Sequence, residues 1–245
     1  MKKERLDVLL FSRGLVKSRE TARGVILSGS VFVDGERIDK AGTAVKLASE
    51  IVIAGEQCPY VSRGGLKLAH AIKAFCIDLS QKIAIDVGAS TGGFTDCLLQ
   101  HGAARVYAVD VGYGQLAEAL RQDARVVVLD RQNIRHLNKE AIPQKADIVT
   151  IDVSFISLTK VIPEIVNLLI AGGEIVALVK PQFEVGKGEV GTGGIVRNPE
   201  QHQTVLDSII NRAKEWGLCI KGTVPSPMTG KKGNKEFLVY FQRGN

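Results

Sequence analysis

Four polar side chains of this sequence stand where an α/β sheet carries its chemistry. Asp152 in TIDVSFISL and Lys180 in LVKPQFEVGK directly follow apolar, strand-like runs, while Lys67 lies in SRGGLKL and Glu236 in GNKEFLVY. Taken singly, Asp152 is as readily a helix cap, and Lys180 a lysine that extends its amine from a strand end into water. The complete set of two lysines and two carboxylates favours a catalytic site at the rim of the sheet.

A glycine-rich turn precedes three of these residues in the chain. In IAIDVGASTGGFTDCLL a buried strand leads through Asp86 into the turn and then into a helix from about Gly92. This geometry directs backbone N–H groups toward a ligand. The pattern is not G-x-G-x-x-G, and the turn holds no basic residue to meet a pyrophosphate, so NAD is disfavoured. Asp86 and the glycines suit a ligand with a cationic aminoacyl group, such as S-adenosyl-L-methionine.

Acidic residues also end the next two predicted strands. Asp110 can accept hydrogen bonds from both hydroxyls of an adenosine ribose, and Asp130 stands near Asn133. Each feature alone is weak, since a glycine turn is often only a tight connection and a strand-end aspartate is often a helix cap. Their recurrence at successive strand ends favours S-adenosyl-L-methionine. The predicted cofactor-binding residues are Asp86, Gly88, Ser90, Gly92, Gly93, Phe94, Asp110, Asp130 and Asn133.

The elements that must position these residues alternate between strands and helices. Seven apolar runs are predicted as strands, the first five joined by helices and the last two by a loop. These strands lie near 83–87, 106–109, 126–129, 148–151, 175–179, 218–224 and 237–241. Asn198 and Pro199 begin the last helix, as cap and first residue. The predicted fold class is α/β, with a seven-stranded Rossmann-like methyltransferase sheet whose final strand is antiparallel; a plain dinucleotide-binding fold stays open.

The first part of the chain is basic and has its own pattern. Residues 1–23 carry seven lysines or arginines against three acids, which is four of the six net positive charges. Two short amphipathic helices, the second capped by Ser18, precede a hairpin that turns at Asp34-Gly35, and 51–53 can add a strand. A basic helical face neutralises RNA phosphates, although taken alone it is more often a solvated surface. The predicted RNA-binding residues are Arg5, Arg13, Lys17, Arg19, Arg23 and Arg63.

Three segments are therefore predicted along the chain. They are a small α+β RNA-binding domain over 1–54, a linker over 55–61, and a methyltransferase domain over 62–245. The four cysteines form no Cys-x-x-Cys pair and the four histidines are widely separated, so neither a disulfide framework nor a metal site is expected. No signal peptide and no membrane span are predicted, and the expected location is the reducing cytoplasm.

Two family resemblances rest on these motifs. Residues 4–53, with two helices before S-G-x-V-x-V-D-G, resemble the alpha-L RNA-binding domain. The four polar residues in their contexts resemble the FtsJ-like ribose 2′-O-methyltransferases, and nearly the whole chain is similar to TlyA-type proteins, many of which carry the name haemolysin. Ser90-Thr91 stands where FtsJ-like relatives usually have Ala-Pro, and Asp130 where the TlyA-type motif more often has Glu. The motifs that carry the likeness are RGGLKL, DVGASTGGFT, VDVGYGQL, DRQNIR, DVSFISL, VKPQFEVGKGEV, GGIVRNPEQH and SPMTGKKGNKEF.

The resemblance implies a reaction and a division of work. The substrate would be the 2′-hydroxyl of a ribose, of cytidine in this family, in ribosomal RNA or ribosomal subunits, and S-adenosyl-L-methionine would supply the methyl group. Lys180 would take the hydroxyl proton, Asp152 would orient its amine, and Lys67 and Glu236 would hold the ribose. An ordinary lysine is protonated at neutral pH, so burial and neighbouring positive charge would have to favour the neutral amine.

Two other functions stay open on the sequence. A non-catalytic RNA-binding or ribosome-assembly factor would keep the fold but would tolerate loss of Asp152 or Lys180, and both are present. A membrane-active haemolysin would need a lytic amphipathic helix or a span, and neither is predicted. No Asn-Pro-Pro-Tyr or Asp-Pro-Pro-Tyr follows the fourth strand and no cysteine lies near the four polar residues, which disfavours methylation of a base nitrogen or carbon. The oligomeric state is not indicated.

Overall fold

The computed structural model describes residues 2–16, 18–53, 58–186, 188–230 and 233–244. The chain divides into two units, Met1–Pro59 and Tyr60–Asn245. The boundary falls inside the segment predicted as a linker, of which 55–57 lie outside the described residues. Each unit has hydrophobic core residues of its own, so the two are treated in turn.

In the N-terminal unit two helices and two small antiparallel sheets share one core. Its elements are β1 (Lys3–Arg5), α1 (Leu6–Ser12), α2 (Arg19–Leu27), β2 (Val31–Val33), β3 (Glu36–Ile38), β4 (Ala44–Lys46) and β5 (Ile51–Ile53). β2 lies between β3 and β5, and β1 pairs with β4. Leu6, Leu10 and Ile26 have no solvent exposure, because the apolar faces of α1 and α2 meet over β2.

Local signals in the sequence account for the turns of this unit. The predicted cap Ser18 accepts a hydrogen bond from the backbone N–H of Thr21 at 3.1 Å. The predicted hairpin is confirmed, since Asp34 and Gly35 join β2 to β3 with φ of 51° and 83°. Both angles lie in the left-handed region, which glycine adopts freely and aspartate tolerates in a two-residue turn.

The C-terminal unit alternates strands and helices. Its strands are β6 (Ile83–Val87), β7 (Arg105–Asp110), β8 (Val126–Asp130), β9 (Ala146–Ile151), β10 (Leu169–Val179), β11 (Leu218–Pro225) and β12 (Phe237–Arg243). Its helices are α3 (Gly64–Phe75), α4 (Gly93–Gln100), α5 (Glu118–Arg121), α6 (Ile162–Val166) and α7 (Pro199–Glu215). The predicted start of α7 is confirmed, because the Asn198 side chain accepts a hydrogen bond from the backbone N–H of Glu200 at 2.9 Å.

The seven strands form one sheet in the order β11-β12-β10-β9-β6-β7-β8. β12 is antiparallel to both of its neighbours, and the other pairs are parallel. The predicted seven-stranded sheet with an antiparallel final strand is confirmed. From β6 the chain moves outward to β8 and then crosses back to β9, so the strand order reverses between β6 and β9. In open α/β sheets ligands bind beyond the carboxyl ends of the strands at such a reversal.

Helices cover both faces of this sheet. Ile85 and Val87 on β6 belong to the core that includes α6 and α7, whereas Ala84 on the same strand belongs to the core that includes α3 and α4. This division follows from the alternation of side chains along a strand. Within the described part of the chain, no helix combines the length and apolar character needed to cross a membrane.

Candidate active site

The carboxyl edge of the sheet gathers three of the four predicted catalytic residues. Asp152 follows the last residue of β9, Lys180 follows the last residue of β10, and Glu236 precedes the first residue of β12. β9 and β10 are parallel neighbours. Val179 stands opposite Phe237 in the antiparallel β10–β12 pair, so Lys180 and Glu236 come next in register. Three residues distant in sequence are therefore adjacent at one edge.

Lys180 lies between a carboxylate and a hydroxyl. Its Nζ is 2.6 Å from Asp152 Oδ1 and donates a hydrogen bond to Ser154 Oγ at 3.0 Å. The Lys180 side chain is 12% exposed and that of Asp152 is 23% exposed. The ammonium does not approach Oδ1 along a hydrogen-bonding direction, so this buried oxygen has an ion-pair partner but no hydrogen-bond donor among the described residues. Asp152 and Lys180, predicted to act together, are thus in direct contact.

Lys67 and Glu236 form a second, more enclosed ion pair. Lys67 on α3 places its Nζ 2.5 Å from Glu236 Oε2, and the two side chains are 12% and 3% exposed. The backbone of Gly230 packs against the Glu236 carboxylate so closely that a Cβ at this position would overlap it. Because Glu236 is also next to Lys180 in register, the two ion pairs together unite the four predicted residues at one edge.

The segment before Glu236 is held by a buried asparagine. Asn234 is 2% exposed; its Oδ1 accepts from the backbone N–H of Val196 at 3.0 Å, and its Nδ2 donates to the carbonyl of Gly194 at 2.9 Å. His202 on α7 also bonds to the carbonyl of Val196 through Nε2 at 2.9 Å. A buried amide with both ends satisfied fixes the approach to β12, and with it the position of Glu236.

The loops that follow Asp152 and Lys180 are tied to each other. Glu184 accepts hydrogen bonds from Ser157 Oγ at 2.6 Å and from the backbone N–H of Leu158 at 2.9 Å. Burial raises the pKa of Glu184, although these two donors oppose the shift. Phe155 and Phe183 also meet across the two loops, with ring centroids 5.0 Å apart.

A carboxylate at the end of β7 organises the glycine-rich turn. Asp110 accepts the backbone N–H of Ser90 through Oδ2 at 2.8 Å and that of Gly112 through Oδ1 at 2.7 Å. Each carboxylate oxygen keeps a further lone pair for a ligand. Val111 and Tyr113, one and three residues after Asp110, are 71% and 69% exposed. This edge therefore offers acceptors for hydroxyl groups beside an apolar and aromatic surface.

The end of β8 carries a second carboxylate with a cationic partner. Asp130 is paired with Arg121 of α5 and accepts the backbone N–H of Gly114 at 3.2 Å. Burial alone would raise the pKa of Asp130, but Arg121 and the N–H of Gly114 together lower it. Asn133 accepts the backbone N–H of Arg135 at 3.1 Å and so caps a short 3₁₀ helix.

Comparison with known families identifies both units. Residues 60–243 match the model of the FtsJ-like methyltransferase family, and residues 4–52 match that of the S4 domain. The chain belongs to the FtsJ-like methyltransferase family. The predicted resemblance is thereby confirmed for the C-terminal unit, and an S4 domain stands where the RNA-binding domain was predicted.

Individual relatives cover nearly the whole chain. A Bacillus subtilis protein named "Putative rRNA methyltransferase YqxC" is 49% identical over 98% of this chain and 86% of its own length. The Mycobacterium tuberculosis "16S/23S rRNA (cytidine-2'-O)-methyltransferase TlyA" is 45% identical over 98% of this chain and 90% of its own. A solved structure described as "Putative hemolysin from Streptococcus thermophilus" has 44% identity and a TM-score of 0.79, covering 100% of this chain and 90% of that chain. The predicted likeness to TlyA-type proteins is confirmed.

One predicted cofactor residue of this FtsJ-like domain is sealed in the core. Asp86 has no solvent exposure; its Oδ2 accepts from Thr95 Oγ1 at 2.7 Å and its Oδ1 from Thr150 Oγ1 at 3.0 Å. The residue lies within β6 rather than beyond its end, and its side chain points toward α4. The Asp86 carboxylate therefore has no side open to a ligand in this structure, whereas the sequence predicted contact with a cationic amino group.

The glycines of the turn serve packing as much as ligand access. A Cβ on Gly88, whose φ is 85°, would overlap the carbonyl oxygen of Asp152. Corresponding atoms on Gly92 and Gly93 would overlap Leu120 and Ser62. The space that a side chain would need at these three positions is therefore occupied by protein atoms, and the close approach of a ligand to this turn stays a prediction. Phe94, also predicted at the cofactor site, is 3% exposed and packs in the layer with α3 and α4. Ser90 keeps its predicted place at the open edge of the turn, with φ of 49°.

Two exposed aromatic residues of the FtsJ-like domain escaped the sequence reasoning. Phe155 is 90% exposed and has φ of 64°, an unusual angle for a bulky residue. Tyr113 lies under the guanidinium of Arg131, 4.2 Å from the ring centroid. Each lies three residues after a strand-end aspartate, in DVSF and DVGY. This shared spacing could have indicated that both aromatic residues lie at the carboxyl edge of the sheet.

The predicted RNA-binding residues differ in their availability. Arg5, Arg19 and Arg23 have side chains between 50% and 56% exposed. Arg13 is also exposed, but its guanidinium donates to the carbonyls of Ser49 and Leu47 within the unit, so it supports the fold as well. Arg63 is exposed before α3 in the other unit, and Lys17 lies outside the described residues.

The described residues contain no group of three or more His, Cys, Asp or Glu side chains arranged to hold a metal ion. The polar residues at the carboxyl edge are instead paired as lysine–carboxylate ion pairs. Such pairs can bind hydroxyl groups and exchange protons.

Proposed function

We propose that this protein methylates the 2′-hydroxyl of a ribose, that of a cytidine, in ribosomal RNA, with S-adenosyl-L-methionine as methyl donor. The observation that carries the proposal is the pair of lysine–carboxylate ion pairs at the carboxyl edge of the sheet, beside the point where strand order reverses. The name of the Mycobacterium tuberculosis relative, 45% identical over nearly the whole chain, supports the choice of cytidine and of the 2′-oxygen.

The residues at the ends of β6, β7 and β8 fit such a cofactor. Asp110, with spare lone pairs, suits the two ribose hydroxyls of an adenosine, and the exposed Val111 and Tyr113 suit the faces of an adenine ring. Ser90 at the rim of the turn and Asp130 beside Arg121 complete the proposed edge. When bound, the cofactor supplies a methyl group on a positively charged sulfur, which leaves as a neutral thioether.

Lys180 is the proposed base for the 2′-hydroxyl. A ribose hydroxyl is a weak nucleophile until its proton is removed, and a neutral amine can accept that proton as the oxygen forms its bond to the methyl carbon. The Lys180 side chain is only 12% exposed, and its Nζ lies 2.6 Å from Asp152 Oδ1. Ser154 and Asp152 together fix the direction of the amine.

Lys67 and Glu236 are proposed to hold the target ribose. Their ion pair is nearly closed to water, and a ligand hydroxyl could still bond to a carboxylate oxygen or an ammonium N–H. A cavity of about 440 Å³ opens on the α7 side of Glu236, lined in part by Met228 and His202. This volume lies in the range of roughly 300–1,000 Å³ that small-molecule sites occupy.

Phe155 supports an RNA substrate. Phe155 is 90% exposed, packs on Phe183 and directly follows Ser154, whose hydroxyl binds the amine of Lys180. It therefore offers a flat apolar face. Stacking on aromatic side chains is how proteins commonly hold an unpaired RNA base. The S4 unit, with Arg5, Arg19 and Arg23 exposed, is proposed to contribute affinity for the RNA backbone.

A single-turnover methylation assay tests the proposed function. The protein is mixed with S-adenosyl-L-methionine and ribosomal subunits from a strain that lacks the gene, and ribose methylation is mapped by mass spectrometry of nuclease digests. We expect a methyl group on a cytidine ribose. Lys180→Arg keeps the positive charge but has no accessible neutral form. It should lower the rate at least roughly a hundredfold, within the range of general-base effects.

The control is Lys221→Arg on β11, where the lysine is exposed and outside the proposed site. It should keep the wild-type rate, and calorimetry should show unchanged cofactor binding for both variants. A methyl group found on a base would refute the 2′-oxygen assignment. Binding of the subunits without any methyl transfer would support a non-catalytic assembly factor instead.

A further inference from the structure

A fully buried carboxylate lies beneath the exposed arginines of the S4 unit. Asp7 on α1 has no solvent exposure, yet its carboxylate contacts three guanidinium groups. One belongs to a residue just before α1 and the other two belong to α2. Arg5, just before α1, donates Nε to Oδ1 at 2.9 Å and Nη2 to Oδ2 at 3.2 Å. Arg19 and Arg23 of α2 donate Nη2 and Nε to Oδ2 at 3.2 and 3.3 Å.

Each of the three arginines binds Asp7 through part of its guanidinium group and exposes the rest to solvent. Arg19 and Arg23 stand four residues apart, so they lie on one face of α2, and Arg5 reaches the same carboxylate from the end of β1. Their side chains are 50%, 56% and 51% exposed, respectively, while Asp7 is 0% exposed. Four contacts to Asp7 use a minority of the N–H donors that three guanidinium groups carry. Most donors therefore remain for an anion from outside.

Charge explains why the cluster needs its carboxylate. Three guanidinium groups that meet at one point repel one another, and a single buried negative charge offsets part of this repulsion. The Arg5 guanidinium, helped by Arg19 and Arg23, holds the pKa of Asp7 far below its usual range against the opposing effect of burial. Asp7 is therefore ionised at any physiological pH, and the cluster keeps a net positive charge.

We propose that Asp7 is a positioning residue that holds Arg5, Arg19 and Arg23 as a preformed site for the backbone phosphates of RNA. The inference rests on the proposed RNA-binding function of this unit. Long, flexible side chains lose rotamer freedom when they bind, and a site that is already ordered avoids much of that loss. Guanidinium groups bind phosphate through paired N–H donors, so their relative orientation matters as well as their charge.

Removal of the Asp7 carboxylate distinguishes binding that depends on the positions of the arginines from binding that depends only on total charge. Asp7→Asn raises the net charge by one, so attraction to RNA by total charge alone predicts tighter binding. Positioning predicts weaker binding, because the three side chains lose their common anchor. Asp39→Asn supplies the matched control, since Asp39 is exposed in the same unit and its loss adds the same charge.

The experiment measures binding of the full-length protein to deproteinised ribosomal RNA, from about 50 to 200 mM salt. We expect Asp7→Asn to weaken binding at least roughly tenfold, which corresponds to ordering a few long side chains. Asp39→Asn should bind as well as the wild type or slightly better. Equal or tighter binding by a folded Asp7→Asn variant would overturn the inference.

A double-mutant cycle distinguishes positioning from general structural support. Arg19→Gln should weaken RNA binding in the wild-type background and should cost much less when Asp7→Asn is also present, because an unanchored Arg19 contributes little. Equal losses in both backgrounds would contradict the proposal. If the wild-type protein itself fails to bind ribosomal RNA, the proposed function fails rather than the positioning step.

A measurement on the wild-type protein covers the case in which Asp7→Asn does not fold. The Nε–H groups of Arg5 and Arg23 both donate to Asp7, so NMR relaxation of these two groups reports whether they are ordered before RNA arrives. Order parameters near the value of about 0.85 found for rigid backbone are expected. Values below about 0.6 in the free protein would show flexible side chains and would refute a preformed site.

Discussion

Asp86 and Asp7 are both fully buried aspartates, yet their neighbours drive their pKa values in opposite directions. Asp86 accepts hydrogen bonds from the hydroxyls of Thr95 and Thr150, but burial outweighs them and raises its pKa to about 7. Asp7 contacts three guanidinium groups, which lower its pKa in spite of burial. At the residue scale, the partners of a buried aspartate therefore decide whether its pKa is raised or lowered.

Asp86 gives a pH-dependent prediction about stability. A carboxyl group whose folded-state pKa is raised contributes most below its unfolded pKa of about 4 and loses this contribution as pH rises through about 7. Asparagine keeps the shape and can bond both threonines without a charge. We therefore expect Asp86→Asn to gain stability relative to the wild type between about pH 5 and pH 8, by up to about 2 kcal/mol.

Urea unfolding at the two pH values measures this difference. Asp39→Asn, which removes an exposed carboxylate, serves as control and should show a difference that hardly changes with pH. A constant gap between Asp86→Asn and the wild type across the range would mean that Asp86 is charged in the folded protein and that its burial carries no such penalty.

At the scale of elements, the carboxyl ends of β6, β7 and β8 form the proposed cofactor edge through hydrogen bonds between loops. Asp110 holds the turn after β6 through the N–H of Ser90 and the turn after β7 through that of Gly112. Gly88 lets the turn pass over the carbonyl of Asp152 at the end of β9. The shape of the edge therefore depends on loops from three strands rather than on one motif.

Replacement of Asp110 tests this edge. Asp110→Asn exchanges one acceptor oxygen for an N–H₂ group, which faces a backbone N–H and can no longer accept a ribose hydroxyl. We expect calorimetry to show S-adenosyl-L-methionine binding weakened at least roughly tenfold, since hydrogen bonds to charged groups contribute about 1.5–3 kcal/mol. Asp86→Asn is the matched control, because the wild-type Asp86 carboxylate is fully buried beside α4. If Asp86→Asn lost affinity while Asp110→Asn kept it, the assignment of the two aspartates would be reversed.

At the scale of the whole molecule, the two units have separate cores. The cluster around Leu6, Leu10 and Ile26 consists of residues from 6 to 53, whereas the buried residues of the two C-terminal clusters begin at Leu68 and at Ile85. A unit that buries its own apolar residues does not need another unit to fold. The proposed RNA affinity and the proposed chemistry can therefore be separated by truncation.

Deletion of residues 1–53 removes all seven elements from β1 to β5 and leaves the sheet of the C-terminal unit complete. We expect ribosomal RNA binding to weaken and its dependence on salt to flatten, because each lost phosphate contact lowers the slope by roughly 0.7–0.9. Cofactor affinity should stay within about twofold of wild type, since the proposed cofactor-binding residues lie in the C-terminal unit. Full-length affinity and salt slope in the truncated protein would contradict RNA binding by the S4 unit.

Much of the fold was predictable from local patterns in the chain. The run 83–87 coincides with β6, because strands buried on both faces are nearly continuous β-branched and apolar residues. β10 begins at Leu169, earlier than the predicted 175, since its first part contains Gly172 and Gly173 and its pairing with β9 shifts there. Glycine gives no strand signal, so only pairing with neighbouring strands defines that start.

The sequence by itself determined the order of strands and helices, the Asp34-Gly35 turn and the strand ends at which Asp110, Asp152 and Lys180 stand, because dihedral preferences and apolar periodicity depend on near neighbours. Only the tertiary structure decided that Lys67 pairs with Glu236, 169 positions away, and that Asp7 gathers three arginines. It also decided that Asp86 is buried while Asp110 is partly exposed. Burial and ion-pair partners depend on which distant elements pack together, and no local pattern carries that information.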